Sequence, residues 1–197
     1  HGTEFFGSLP ETLKTVALQQ WVRLPKTVDE ARQQVRELQT SGVDGIKGIL
    51  ESGTTAHPFN RMDVSVLEAV AQEARVQNLP LVIHTGNSKD IADALKVGPN
   101  GLEHGSFRDV VGDELLREMA RSGVTYDPTL SVVEAFSKTP AEAQEFLDRS
   151  LVQQVVPAKL LMSTRNALHA GGMKTFLNSI PTLGSGGLAQ GKGNLLR

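Results

Sequence analysis

Cysteine is absent from all 197 residues. Disulfides and thiolate metal sites are therefore excluded, and any metal must sit on His, carboxylate or a modified Lys. The absence leaves the compartment open between cytoplasm and periplasm. No apolar run approaches the ~20 residues of a membrane span, so no membrane partner is expected. There is no excess of positive charge either: the formal net charge is −2, which gives no reason to expect nucleic acid. No Gly-rich phosphate loop follows any predicted strand, which argues against nucleotide binding. The chain has no signal-peptide pattern and no initiator Met; it opens with His1-Gly2-Thr3, and the expectation is a piece of a longer chain.

What is present is ordinary in bulk: 39% hydrophobic and 21% charged residues, as in a globular domain. Residues 1–26 are irregular, with Phe5-Phe6 and the sole Trp21. A rhythm then begins. Thr27-Val28-Asp29-Glu30 has the capping-box spacing, and the predicted helix places Ala31, Val35 and Leu38 on one face before Gly42. Val43 to Leu50 reads as a strand. Asp63 caps a helix with the stripe Val66, Leu67, Val70, Ala71 and Ala74. The run Leu79 to His84 is too short for a helix and reads as the next strand. Ser88 to Leu95 is helical, Gly101 to His104 a strand, Asp113 to Arg121 a helix, and Val124 to Tyr126 a strand. Such alternation predicts an α/β fold with parallel strands buried on both faces. An open doubly wound sheet and a closed (β/α)₈ barrel both satisfy it. Beyond Pro140, residues 141–149 and 151–170 read as helices, with Pro157 either a kink or the start of a separate helix. The segment 171–197 is Gly-rich and is expected to be poorly ordered.

Three polar side chains interrupt or end the apolar strands. Lys47 lies inside Gly45-Ile46-Lys47-Gly48-Ile49-Leu50, His84 ends Leu81-Val82-Ile83-His84, and His104 ends Gly101-Leu102-Glu103-His104. A buried Lys needs a partner or a modification, because an unpaired buried charge costs several kcal/mol. Strand carboxyl ends are where α/β proteins place sites, so successive strands would gather these three. Taken singly, a strand-end His is more often structural and a strand Lys more often snorkels to water; three together point to a shared site. His57 precedes Pro58 in a loop, and His169 near a helix end suits the dipole; neither is taken as a ligand. His1 carries no assignment. Arg61, after the Lys47 strand, is a candidate contact for a substrate carboxylate, beside the plainer reading of a solvated loop Arg.

Together, Gly42-Val43-Asp44-Gly45-Ile46-Lys47, Val82-Ile83-His84-Thr85, Gly101-Leu102-Glu103-His104-Gly105 and Asp127-Pro128-Thr129-Leu130 resemble the amidohydrolase superfamily. The nearest branch is the imidazolonepropionase-related one that includes Xaa-Pro dipeptidases. The resemblance spans about residues 27–170. It implies a partial TIM-like (β/α)₈ barrel, roughly strands four to seven, and a hydrolase of C–N bonds in small-molecule or peptide substrates such as dipeptides or acylated amino acids. It also implies one or two divalent ions, usually zinc, with Lys47 carboxylated by CO₂ as the bridging ligand and His84 and His104 as further metal ligands. Thr129 would lie on the substrate side. A carbamylated Lys is an anion with two oxygens, which removes the problem of a buried cation, and metal-bound hydroxide is nucleophilic at neutral pH.

The pattern also breaks. No His-x-His occurs anywhere, and no Asp follows Asp148 and no Glu follows Glu145. Residues 174–179, where an eighth strand would fall, offer only Asn178 and Ser179. The expectation is therefore a fragment inactive by itself. The alternatives are a non-catalytic half-barrel, whose open edges would favour a homo-oligomer, and a lyase using Lys47 as a Schiff-base amine.

Overall fold

The structure, a computed structural model, describes residues 22–52, 60–106, 108–131, 134, 138–169 and 187–196. His1, Phe5-Phe6, Trp21, His57 and residues 174–179 lie outside them.

Helix α1 (Val28–Thr40) starts where the sequence placed it: Thr27 accepts a hydrogen bond from the Glu30 amide, and the Glu30 carboxylate accepts one from the Lys26 amide. Ala31 and Val35 are its buried face. Strand β1 (Ile46–Leu50) follows, then α2 (Val64–Val76), capped by Asp63. Every residue of the apolar stripe read from α2 is buried. Strand β2 (Leu81–Thr85), α3 (Ser88–Leu95) and β3 (Gly101–Glu103) come next. Helix α4 (Asp113–Ser122) ends on left-handed Gly123 and leads into β4 (Thr125–Asp127). The strands form one parallel sheet in the order β1-β2-β3-β4. Successive strand–helix units laid side by side in sequence order, all parallel, make the barrel alternative rather than the doubly wound one: the fold is a partial TIM-like α/β barrel.

The two faces of the sheet differ. Ile46, Leu50, Leu81, Ile83 and Leu102 point into the core with Leu67, Val70, Ile91 and Ala94. Leu67 packs so closely on β1 that a Cβ at Gly48 would meet its methyl at 3.1 Å. The opposite face carries Lys47, Ile49, Val82, His84 and Glu103, all exposed or half-buried. Burial of the strands on both faces was the expectation; among the described residues the helices cover one face only, so period-two alternation, not a continuous apolar run, governs the other.

After β4, a capping box between Thr139 and Glu142 opens α5 (Pro140–Asp148). Pro157 separates α6 (Ser150–Val155) from α7 (Ala158–His169), because it has no amide to continue the ladder. Part of the Gly-rich tail is helical: α8 (Gly187–Leu195). Its Asn194 is buried, donates to the Ser106 and Asp109 carbonyls at 2.9 and 3.1 Å, and accepts from the Val111 amide at 3.0 Å. Tertiary hydrogen bonding thus overrides the poor helix propensity of this stretch.

The chain after β1 is fastened to α3. Arg61 donates to Asp90 and to Asp93, both at 2.8 Å, and Lys89 and Lys96 converge on Asp93. Burial pushes the Asp93 carboxyl up, but the hydrogen bonds from Lys89, Lys96 and Arg61 outweigh it and hold it well below the usual carboxylate range. A depressed carboxylate stabilises the fold above its unfolded value of about 4 and loses that contribution as pH falls. Asp93→Asn is therefore expected to lower the unfolding free energy by about 1–3 kcal/mol at pH 7. In urea titrations the gap between wild type and variant should narrow at pH 3.

Candidate active site

The parallel register aligns Ile49, His84, Glu103 and Asp127 across the four strands, and Lys47 two residues behind Ile49 on the same face. This brings the predicted residues together. The His84 and His104 rings meet edge to face, with centroids 4.6 Å apart. Lys47 is ion-paired to Glu103 through Nζ and Oε2, and the same oxygen lies 3.5 Å from His104 Nε2. Lys47, Glu103, His104 and His84 are thus one connected cluster at the carboxyl side of the sheet.

Lys47 is not buried as the sequence suggested: its side chain is 46% exposed, on the face the helices leave open. It nevertheless has a partner. Partial burial pushes its amine below the ordinary lysine value, with Asp127 pulling it back up. His104 lies one residue beyond β3, in the left-handed region at φ 71°, followed by Gly105 at φ 60°. For a non-Gly residue this is an uncommon, strained backbone. It is held by the His104 amide donating to the Asp127 carbonyl at 2.7 Å. Gly105 is required here, since the Tyr126 ring occupies the space of a Cβ.

Each imidazole has its own polar partner. His104 Nδ1 is 2.8 Å from Thr129 Oγ1, so Thr129 reaches the cluster, though through His104. The Thr129 amide donates to Asp127 at 3.0 Å, which fixes the turn after β4. His84 Nε2 is 3.2 Å from Glu51 Oε2, and Arg108 pairs with the other oxygen of Glu51. Arg61 is not at this cluster: it is mostly buried and paired with Asp90 and Asp93, so it is not a solvated loop Arg. His57 lies outside the described residues, and His169 Nδ1 bonds the Arg165 carbonyl at 2.7 Å in α7. Sequence reasoning missed Glu51 and Glu103 as partners. Glu103 was detectable, because it shares a period-two row with Lys47 and His84.

The donor types suit a divalent ion: two adjacent imidazoles, and a lysine able to become an oxygen donor. Burial first, then the His84 and Lys47 charges, push His104 down to about 4, with Asp127 and Glu51 opposing. It is therefore neutral, the form that binds metal, at ordinary pH. The number of donors falls short: among the described residues no three His, Asp or Glu stand together so as to hold a metal ion.

The sequence profile of the Amidohydrolase family matches residues 7–178. The chain belongs to that family. Ochratoxinase of Aspergillus niger is 30% identical over 119 residues, 58% of this chain but 24% of the fungal enzyme. Among solved structures, a prolidase complexed with N-methylphosphonate-L-proline superposes with a TM-score of 0.55 at 25% identity, covering 68% of this chain and 33% of that one. A Xaa-Pro dipeptidase with bound methionine, at 24% identity and TM-score 0.51, shares the fold over 59% of this chain and 29% of its own. The chain thus spans about a quarter to a third of the proteins it matches.

A depressed His pKa means that the unfolded state takes up a proton before the folded state does. Stability from His104 is therefore present above its unfolded value near 6.5 and declines as pH falls toward about 4. In chelator-treated protein, an NMR titration of the imidazole carbon-bound protons is expected to show His104 titrating near pH 4. Replacement by Asn should flatten the stability profile between pH 6.5 and 4.

Proposed function

We propose that this chain carries the Lys47, His84 and His104 share of a divalent-metal centre in a hydrolase of amide-type bonds, acting on dipeptides or acylated amino acids. The observation that carries the reading is the joining of Lys47 and His84, on one sheet face, with His104 just past β3: the imidazoles at 4.6 Å and the lysine tied to His104 through Glu103. Zinc is the ion that suits these donors, and Lys47 would join it as a carbamate formed with CO₂. When bound, such an ion supplies Lewis acidity toward a carbonyl and lowers the pKa of its water. The chain's own residues would hold it: His84 and His104 as nitrogen donors, with Glu51 against the His84 ring and Thr129 against the His104 ring. The likeness to a prolidase holding a prolyl phosphonate supports a substrate built from amino acids. The outer edges of β1 and β4 are where further strands of such a barrel would add, from this protein or from a second copy.

The shortage of donors favours a second reading, a half-barrel that binds without catalysing. Calorimetric zinc titration of the purified chain in bicarbonate buffer separates the two. The metal-centre reading expects one tight site, weakened at least ~10–100-fold in His84→Ala and in His104→Ala, since loss of even an outer partner costs that much. With ¹³C-bicarbonate, a carbamate carbon signal should appear and be absent in Lys47→Ala. Zinc binding unchanged by both His substitutions would defeat the proposal.

A further inference from the structure

Glu51 ends β1 and is buried, with a side chain only 7% exposed. Arg108, from the segment after β3, pairs with its Oε1, and His84 Nε2 stands 3.2 Å from its Oε2. The arrangement is tight. Gly86, just past β2, lies directly against it: a Cβ there would fall 2.7 Å from the Arg108 guanidinium and collide with the Glu51 carboxylate. A side chain at this point would have to push the ends of Glu51 and Arg108 aside.

An ionised carboxylate only accepts hydrogen bonds. The Glu51 carboxylate takes a guanidinium hydrogen from Arg108 on one oxygen and stands as an acceptor toward His84 with the other, which assigns the shared hydrogen to His84 Nε2. In the neutral ring the lone pair is then on Nδ1. This differs from His104, whose Nδ1 faces Thr129 and whose Nε2 lies toward Glu103 and Lys47. The two adjacent imidazoles are thereby fixed from opposite nitrogens by unrelated partners.

We infer that Glu51, clamped by Arg108, is a positioning residue that fixes the tautomer and ring orientation of His84 and so determines that Nδ1 is the nitrogen offered to a ligand. The inference rests on the metal-centre reading above for its functional meaning, and on the Glu51–His84 geometry for its structure. Carboxylates that accept from the second nitrogen of a ligating imidazole fix its orientation and raise its basicity, and their loss typically costs about 10–100-fold in metal affinity.

The test is imidazole ¹⁵N-resolved NMR at pH 8 on the chelator-treated chain, followed by zinc titration of the same samples. Wild type is expected to show a slowly exchanging, downfield Nε2–H of His84. Glu51→Gln retains an acceptor oxygen and should keep that proton; Glu51→Leu should lose it and bind zinc about 10–100-fold more weakly. Where Glu51→Leu does not fold, Gly86→Ala serves, because its methyl displaces the Glu51–Arg108 pair and should broaden the same signal. A His84 proton on Nδ1, or an Nε2–H signal unchanged in Glu51→Leu or Gly86→Ala, overturns the inference. A wild type that shows the proton but binds no zinc contradicts the metal-centre reading while leaving the Glu51 clamp standing, so the two failures are distinguishable.

Discussion

The parallel register of four short strands is the constraint on which the site depends. Pairing Ile49 with His84, and His84 with Glu103, sets one row of side chains toward the helices and the other away from them. The helix-facing row is apolar and buried against α1, α2 and α3. The other row carries Lys47, His84 and Glu103. A slip of one residue in any strand would exchange the rows, putting charge into the core and Ile83 or Leu102 into the site. The core therefore enforces the arrangement of the polar face, and the two cannot be varied independently.

On the polar face, charges come in complementary partners. Glu103 is shared by Lys47 and His104, and Glu51 by Arg108 and His84. This alternation lets two imidazoles and an amine stand together without an uncompensated cation, which would be costly where water is partly excluded. The strain at His104 is of a piece with this. A left-handed backbone at a non-Gly residue persists only when its surroundings hold it, here the Asp127 carbonyl and Thr129 hydroxyl. Strain of that kind concentrates at functional sites.

Much of this was legible in the sequence, for physical reasons. The stripe of α2 and the capping signals at Thr27 and Asp63 report local periodicity and local hydrogen bonding, which need no tertiary knowledge. Lys47, His84 and His104 stood out because each broke an apolar run. Their exposure did not follow, since a run such as Ile46 to Leu50 does not reveal that only one face meets helices. Glu51 lies just past a strand and looks like an ordinary solvated carboxylate until Arg108, far along the chain, is brought to it. Arg61 reads as a solvated loop Arg for the same reason: its partners Asp90 and Asp93 lie further along the chain, on α3. Helix α8 was hidden by its glycines, and it forms where Asn194 bonds to the segment after β3.

The chain belongs to the Amidohydrolase family, and its fold brings Lys47, His84 and His104 into one cluster. The chain spans 24% of the fungal ochratoxinase it resembles. The most direct measurement is anomalous diffraction at the zinc edge from crystals of this chain grown with zinc and bicarbonate. The account predicts a single strong peak within about 2.0–2.2 Å of one nitrogen each of His84 and His104, beside extended density on Lys47. An empty position between those rings, with zinc bound only elsewhere, would contradict it.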